Sequence, residues 1–304
     1  MLGAPRAVAR VSNARPITAV IRLSRAGGTM SNSFSETRPS AHPSTPKACL
    51  LTAIWALAFT STAATAADLA VKAPEPPAYQ WSGCYVGLNL GGGTTGTNFD
   101  STVGPGTHLS GADAAVVAGS GGGGANADGL VAGGQAGCNW QTGTLVLGLE
   151  GDLDYFHSNP SFSNNTNTLS DGVTPFTISQ SLTTDFLATV RPRIGIAADR
   201  NLAYITGGAA FTHASYTESY VDGAAPPGIG SATASRYLAG WTAGAGWEYA
   251  LSEHWTARVE YLYAGFPKIS ALGAITDAGG GTNPLRGSSD LAVQLIRAVV
   301  NFKF

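Results

Sequence analysis

The chain has 304 residues, of which 40 are Gly, two are Met and only 12% are charged. A composition so rich in Gly and so poor in charge excludes an ordinary helical globular protein. The longest apolar run, residues 48–59, is too short to cross a bilayer as a helix, so a helical membrane protein is excluded as well.

The N-terminal region predicts an export signal. The apolar run follows Lys47 and precedes small residues that end in Ala64-Thr65-Ala66, an A-x-A cleavage site. We therefore predict a signal peptide over residues 47–66. Residues 1–46 are basic and rich in Ser, Thr and Pro, and we expect a disordered extension there. Translation from Met30 is an alternative, in which residues 1–29 are an over-extended gene start.

Cleavage after residue 66 changes both the charge and the cysteine count. The remaining chain has 10 Lys and Arg against 18 Asp and Glu, a net charge of −8, which argues against a nucleic-acid partner. Cys49 is removed with the leader, whereas Cys84 and Cys138 remain. In an oxidising periplasm these two residues are candidates for a disulfide.

Eight strands are predicted after the leader. Residues 67–80 are Pro-rich and are expected to form an extended periplasmic tether. From Trp81 onwards, apolar segments alternate with long polar loops, such as 93–127 and 269–288, and with short turns. The predicted strands cover residues 81–92, 130–140, 144–156, 182–197, 202–216, 236–251, 255–266 and 289–304.

Side chains in these segments alternate between an apolar and a polar face. The third strand places Leu147 and Leu149 on one face and Glu150 and Asp152 on the other. The last strand has the same period of two and runs to Phe304. A strand that ends a chain leaves an unpaired edge unless it finds a partner, and the first predicted strand would supply one.

This pattern predicts an all-β fold, an eight-stranded antiparallel up-and-down transmembrane β-barrel over residues 81–304. Short turns would lie in the periplasm and long loops outside the cell. A soluble, secreted β-sandwich is the alternative. It would bury its apolar face and expose its polar face, whereas in the barrel the charges point into a narrow bore.

Several segments also resemble the small OmpA-like outer-membrane β-barrel surface proteins of alphaproteobacteria. The likeness is carried by WSGCYVGLNLGGG, GGQAGCNWQ, LTTDFLATVRPRIGIAADRNLAYITGGAAF, GWTAGAGWEYAL, WTARVEYLYAGF and the ending IRAVVNFKF. It implies a barrel in the cell outer membrane, without a peptidoglycan-binding domain. The implied partners are outer-membrane lipids, lipopolysaccharide and the barrel-assembly machinery, for which Phe304 is the assembly signal. Cys84, Cys138 and Pro192 depart from the family pattern, and Pro192 predicts a local bulge.

The inward face of the predicted barrel carries a candidate charge network. Eight strands enclose a bore that side chains can fill, and an unpaired charge in so confined a space is costly. We predict that nine residues point inward and pair with one another: Glu150, Asp152, Asp185, Arg191, Arg193, Glu248, Arg258, Glu260 and Arg297. The network would act either as a structural plug or as a gated ion path in which a pair such as Glu260 and Arg297 opens.

Three smaller motifs have alternative interpretations. Cys84 and Cys138 share the outward face of adjacent predicted strands, so they form either a disulfide or two free, lipid-facing thiols. The GxGxxG sequence of residues 91–96 has no following helix and is not expected to bind a dinucleotide. The acidic alternation from Glu150 to Asp154 is a weak cation-site candidate, and inward alternation explains it better.

The expected function is structural, that of an outer-membrane barrel that strengthens the envelope and displays loops outside the cell. A low-conductance porin for ions or small solutes is the alternative, and binding of an extracellular ligand by the long loops is a third possibility. His213 and Ser215 share the outward face of one strand, as in lipid-modifying barrels, but the pattern positions no acid beside the His. No enzymatic activity and no cofactor are therefore expected.

Overall fold

The computed structural model describes residues 79–304. The predictions for the N-terminal extension, for the signal peptide and for the tether up to residue 78 lie outside the described residues. Within the described range the elements are, in order, β1 (Gly83–Val103), α1 (Gly111–Ser120), β2 (Gly123–Thr142), β3 (Leu145–Ser158), β4 (Ser161–Ser163), β5 (Asn167–Thr168), β6 (Pro175–Ala198), β7 (Asn201–Asp222), β8 (Gly228–Ala250), β9 (Trp255–Asp277) and β10 (Thr282–Lys303).

The eight long strands form one closed antiparallel ring. Each pairs with its neighbours along the chain, β3 pairs with β6 across the short strands β4 and β5, and β10 pairs with β1. At the seam Lys303 lies opposite Tyr85, and the amide of Phe304 donates to the carbonyl oxygen of Cys84 at 3.0 Å. The predicted eight-stranded up-and-down barrel, closed by its last strand, is confirmed.

The two faces of the barrel have the predicted polarity. On β3, Leu153 is 61% exposed on the outside, whereas Asp154 is fully buried in the bore. Apolar side chains of the other long strands cover the outside in the same way, among them Leu88, Val190, Ile194, Ile205, Val259 and Ile296. A soluble β-sandwich has the opposite arrangement, so that alternative is wrong.

The strands extend further from the turns than predicted. Residues 93–103 and 282–288, assigned to loops by sequence, belong to β1 and β10. On this part of β1 the inward residues Thr95, Thr97 and Ser101 are buried, and the outward residues Asn98 and Asp100 are polar too. Hydropathy does not alternate where both faces are polar, so the period of two was invisible in the sequence.

One helix, α1, lies in the segment that sequence patterns predicted as a loop. Ser110 caps its N-terminus by accepting from the amide of Asp113 at 3.2 Å. Ala114 and Val117 are buried on its inner side. No helix within residues 79–304 has the length and apolarity needed to cross a bilayer.

A bulge in β6 changes which residues of that strand face the bore. The pairing register with β7 shifts by one residue between Thr184 and Leu187, with the extra residue on β6. The pairing with β3 is also irregular at this level, but there the extra residue lies on β3, between Tyr155 and Ser158. Before the bulge the even-numbered residues are buried, and after it the odd-numbered residues are. The bulge predicted at Pro192 is wrong, since the register continues unshifted from Val190 to Arg193.

The seam between β1 and β10 yields a stability prediction. A Cβ atom at Gly91 would lie 2.1 Å from the carbonyl oxygen of Ile296 and 2.7 Å from Cα of Arg297. Because those atoms are backbone and cannot move aside, we expect Gly91→Ala to lower the free energy of unfolding by about 1–3 kcal/mol in urea titrations of the refolded barrel. The matched control is Gly92→Ala, whose Cβ would have no atom closer than 3.9 Å. Equal losses in the two variants would contradict the seam geometry.

Candidate functional site in the barrel interior

The bore is filled at three levels. A charged layer occupies the part nearer the short turns, and a larger apolar layer fills the part nearer the long loops. A second, smaller apolar cluster closes the end at the short turns. Interior side chains are therefore packed along the whole height of the barrel.

Eight of the nine predicted charges lie in the charged layer. Two ion pairs, Glu150 with Arg191 and Glu260 with Arg297, join direct cross-strand neighbours. Glu248 and Arg258 are also cross-strand neighbours, but each pairs elsewhere, Glu248 with Arg193 at 3.0 Å and Arg258 with Glu150 at 2.7 Å. All eight residues are buried, with the carboxylates and guanidinium groups held at hydrogen-bonding distance. Buried charges need partners and hydrogen bonds of this kind, because the desolvation cost is otherwise not offset.

Arg297 also connects opposite walls of the bore. It is fully buried on β10 and donates from Nη1 to Asp154 on β3 at 2.6 Å, while its Nη2 lies 2.7 Å from Glu260 on β9. Arg191 on β6 donates from Nη2 to Glu150 and to Asp152 on β3, at 2.8 Å in each case. The layer thus spans the bore instead of lining its wall.

Asp185 was predicted to point inward, and this prediction is wrong. Its side chain is 53% exposed on the outside of the barrel. The cause is the bulge in β6, which inverts the parity between Asp185 and the inward residues Arg191 and Arg193. A strict period of two, counted through a strand with a bulge, assigns one side of the bulge to the wrong face.

The structure adds residues that the predicted network lacks. Asp154 faces the bore as its strand pattern predicts, and it binds Arg297. Tyr85 donates to Glu150 at 2.5 Å and Tyr204 donates to Glu260 at 2.7 Å, so each phenol satisfies a carboxylate. Both tyrosines alternate with apolar outward residues on their strands, which is the signal that would have found them.

The apolar layer above the charges is closed from outside by α1. Val117 is fully buried and packs in one cluster with Phe99, Phe156, Phe176 and Ile178 from the barrel wall. Such side chains offer no hydrogen bonds to water and cannot replace the hydration shell of an ion. This layer was not predicted, since the aliphatic and aromatic inward residues are too widely spaced along the chain to show a pattern.

The opposite end is closed by Tyr79 and by Trp81, the first residue of the predicted barrel. Tyr79 and Trp81 pack edge to face, with ring centroids 4.9 Å apart, and Trp81 donates from Nε1 to the carbonyl oxygen of Asp199 at 3.1 Å. Tyr79 was predicted to belong to the extended tether, but it is buried against the barrel with Leu202. The plug therefore begins two residues earlier than the predicted barrel domain.

A histidine clamp holds the first loop over the barrel mouth. His108 lies 2.7 Å from Asp222 through Nε2 and 2.7 Å from Asp277 through Nδ1, at the loop ends of β7 and β9. Burial alone would lower the pKa of His108, but the hydrogen bonds with both carboxylates outweigh it and raise the pKa above its ordinary 6.5. The pKa of Asp277 is lowered, by the Gly281 amide first and by His108 second.

The two cysteines are joined. Cys84 on β1 and Cys138 on β2 are direct cross-strand partners, and their Sγ atoms are 2.07 Å apart. Of the two alternatives that the sequence left open, the structure has the disulfide. It fastens β1 to β2 beside the seam that closes the ring.

The other motifs take ordinary places in the barrel. Residues 91–96 lie inside β1, paired on both sides, so the GxGxxG sequence does not form a phosphate-binding turn. The carboxylates of Glu150, Asp152 and Asp154 are all engaged by arginine side chains. Among residues 79–304 no group of three or more acidic, His or Cys side chains is arranged to hold a metal ion.

The chain is similar to several known proteins. The family model of the outer membrane protein beta-barrel domain matches residues 54–304. The 31 kDa outer-membrane immunogenic protein of Brucella melitensis is 34% identical over 233 residues, which cover 73% of this chain and 88% of that protein. The 25 kDa outer-membrane immunogenic protein of Brucella abortus is 28% identical over 225 residues, which cover 72% of this chain and 84% of that protein. Among solved structures, the outer membrane protease OmpT of Escherichia coli matches with a TM-score of 0.37 and 8% identity, covering 76% of this chain and 99% of that one.

The charged layer yields a second stability prediction. Arg297→Met keeps most of the side-chain volume but leaves Asp152, Asp154 and Glu260 without their shared cation. Removal of one partner from a buried ion network costs about 3–5 kcal/mol, and we expect that loss in urea unfolding of the refolded barrel. The matched control is Arg286→Met on the same strand, where the side chain is exposed outside and the cost should stay within about 0.5 kcal/mol. Similar behaviour of the two variants would show that the network does not stabilise the barrel.

The histidine clamp yields a prediction about pH. Because the pKa of His108 is raised, the protonated imidazole stabilises the closed loop. This stabilisation is fully present below pH 6.5 and is lost as the pH rises through the raised pKa. The pKa values of Asp222 and Asp277 are lowered, so their ionised carboxylates stabilise the closed loop above pH 3.8. This second contribution is lost as the pH falls through the lowered pKa values. Hydrogen-exchange protection of the α1 amides, corrected for intrinsic rates, should therefore be highest between these limits.

The variant His108→Gln separates the clamp from other pH effects. It keeps one hydrogen bond but cannot carry the charge, so protection of α1 should be lower and should no longer fall at high pH. If His108→Gln reproduces the wild-type profile, the clamp does not control this loop.

Proposed function

The chain belongs to the outer membrane protein β-barrel family, and from that premise we propose that it is a sealed structural barrel, one that does not conduct ions. Membership places it in the cell outer membrane, in contact with membrane lipids. The proposal concerns what the barrel does there. It strengthens the envelope, carries its loops to the outside and leaves the permeability of the membrane unchanged.

The observation that carries this proposal is the transverse connection made by Arg297. A porin needs a continuous aqueous path, and an eight-stranded barrel has just enough interior for its own side chains. Here a fully buried guanidinium group bridges β9 and β3, with apolar clusters on both sides of it. An ion would have to break these pairs and also cross two layers that cannot solvate it.

Packing in the bore also supports a mechanical role. Ion pairs and tyrosine hydrogen bonds link β1, β3, β6, β7, β8, β9 and β10 through the middle of the barrel. The disulfide joins β1 to β2, so every long strand is held by an interaction besides the backbone ladder. A barrel braced in this way resists the lateral separation of its strands.

The proposal includes two specific partners beyond the membrane lipids. Lipopolysaccharide would contact the outer surface near the loops, and the barrel-assembly machinery would read the C-terminal strand. Phe304 supports the second of these. Phe304 is 71% exposed as a residue and its backbone amide pairs with β1, so it remains at the surface of the closed barrel.

Conductance is the test of the sealed barrel. In planar bilayers we expect the refolded wild-type chain to give no stable conductance steps, and we expect the same of Glu260→Ala/Arg297→Ala, because the two apolar layers still block the bore. Single-channel recording in concentrated KCl measures this directly.

The comparison variant is Arg286→Ala, which removes a charge from the outside of the same strand. Stable steps from the wild type whose size changes with Glu260→Ala/Arg297→Ala, but not with Arg286→Ala, would establish a path through the bore and refute the proposal. Steps that are the same size in all three chains would indicate leakage around the protein.

A further inference from the structure

An aspartate, a histidine and two serines form a chain of contacts on the outside of the barrel. Asp185 Oδ2 lies 2.8 Å from Nδ1 of His213, and Nε2 of the same ring lies 2.8 Å from Oγ of Ser235. Ser215 Oγ is 3.0 Å from Ser235 Oγ. The side chain of His213 is 25% exposed and that of Asp185 is 53% exposed, so the group is open to the surroundings of the barrel.

This order of groups has the geometry of a nucleophile, a base and an orienting acid. A carboxylate only accepts hydrogen bonds, so Asp185 selects the tautomer in which His213 carries its proton on Nδ1. Nε2 is then free to accept from the hydroxyl of Ser235. His157 approaches the other oxygen of Asp185 at a longer distance, 3.9 Å, and does not replace His213.

Two irregularities in the sheet create the arrangement. The bulge between Thr184 and Leu187 turns Asp185 to the outside, where it meets His213 on the neighbouring strand. β8 leaves its ladder with β9 between Ala232 and Trp241, and Ser235 lies in that stretch. Alternate backbone groups of a strand point to the same side, so half of the amides of this stretch face the side that β9 vacates.

The group lies at a boundary on the outer surface. Towards the short turns, the outward residues of β6, β7 and β8 are large and apolar: Val190, Ile194, Ile205, Phe211 and Trp241. Towards the long loops most of them are small and hydroxylated, although Val221 and Ile229 are exposed at the loop ends of β7 and β8. The hydroxylated residues are Ser179, Ser181, Thr183, Thr217, Ser219, Ser231 and Thr233. His213 is 12 residues from the start of β7, roughly 30 Å along the barrel axis for a strand tilted by about 40°. The apolar band of such barrels is about 25 Å tall, so this is the level of the outer lipid head groups.

Tyr237 supports the same placement. It is 81% exposed and its ring packs 5.0 Å from the imidazole of His213. Aromatic side chains of this kind are enriched at membrane interfaces, where one edge is apolar and the other is wet. Its neighbour on the apolar side is Phe186, 6.4 Å away between ring centroids.

We propose that Ser235, His213 and Asp185 form a hydrolytic site for ester-linked acyl lipids of the outer leaflet, with Ser235 as nucleophile. A regular period of two would place Asp185 inside the bore and leave His213 without an acid, whereas the bulge brings Asp185 to the outside beside it. The membrane would present the substrate, since the ester linkages of lipids lie just below their head groups. Phospholipids and acylated glycolipids share this chemistry.

The reaction is an acyl transfer to water. Ser235 Oγ forms a bond with the ester carbonyl carbon while its proton moves to Nε2 of His213. The bond from that carbon to the lipid alcohol oxygen then breaks, and His213 protonates the leaving oxygen. Water attacks the acyl-serine and loses a proton to His213, which returns it to Ser235, so a free fatty acid and a lipid with one hydroxyl are released. Amides of residues 233–240 that point to the side of β9 have no ladder partner there, and in this proposal they would be the donors for the oxyanion.

The test uses the full chain refolded in two kinds of vesicle, one of phosphatidylcholine and one that also contains lipopolysaccharide, each with labelled acyl chains. We expect release of labelled fatty acid, and a fluorophosphonate adduct that peptide mass spectrometry locates at Ser235. Release from the first vesicles identifies phospholipid esters as the substrate, and release of only the lipopolysaccharide label identifies the glycolipid. Ser235→Ala and His213→Ala should lower the rate at least about 100-fold.

Asp185 is a positioning residue and has its own readout. Asp185→Asn should lower kcat and leave KM for the lipid unchanged, because Asp185 acts through the imidazole and does not touch the ester. Ser231→Ala, four residues away on the outward face of β8, is the matched control and should keep the wild-type rate. Heat-modifiable gel migration checks that each variant still closes its barrel.

Three results would overturn the proposal. The first is a folded wild-type chain that releases no more fatty acid than protein-free vesicles and forms no adduct. The second is a wild-type rate in folded Ser235→Ala or His213→Ala. The third is an adduct at Ser215, with loss of activity in Ser215→Ala alone, which would assign the nucleophile to the other serine.

Discussion

The structure depends on one constraint, that every backbone amide and carbonyl inside the bilayer must be paired without help from water. Strands satisfy this only when their sheet closes on itself, and the pairing of β10 with β1 provides the closure. An eight-stranded ring is narrow, so its interior must be filled by side chains. The polarity of the two faces, the charged layer and the plugs at both ends all follow from this geometry.

The charged layer shows how a narrow bore accommodates groups that are costly to bury. Five carboxylates and four guanidinium groups share it, and cross-strand neighbours such as Glu150 and Arg191 pair directly through the register of the sheet. Tyr85 and Tyr204 bind carboxylate oxygens and also lie against guanidinium groups, with Arg193 4.9 Å and 5.1 Å from their ring centroids. Removing any one member leaves another charge without its partner. The layer therefore favours a single arrangement of the strands around it.

A filled bore moves any chemistry to the outer surface. The interior polar groups are committed to one another, whereas Asp185, His213 and Ser235 contact one another outside, where lipid can reach them. The residues that hold the barrel together and the residues proposed to act on lipid thus belong to opposite faces of the same strands. A substitution on one face has little reason to disturb the other, which makes the two roles separable by experiment.

The sequence by itself determined the number of strands, the closure by the last strand and the face on which most side chains lie. It could do so because lipid on one side and a crowded bore on the other impose a strict alternation, as Leu153 and Asp154 illustrate. The eight inward charges of the predicted network were found in this way. The same rule accounts for the shared outward face of Cys84 and Cys138, which are cross-strand partners.

Only the tertiary structure decided where this alternation fails. The bulge between Thr184 and Leu187 shifts the pairing register by one residue. No local sequence pattern marks this bulge, so Asp185 was assigned to the wrong face. The upper parts of β1 and β10 and the helix α1 lie where neither face meets lipid, so their hydropathy carries no period. Tyr79 and Trp81 enter the bore from outside the sheet. Sequence periodicity reports the solvent on each side of a strand, whereas bulges, plugs and contacts across the bore depend on residues far apart in the chain.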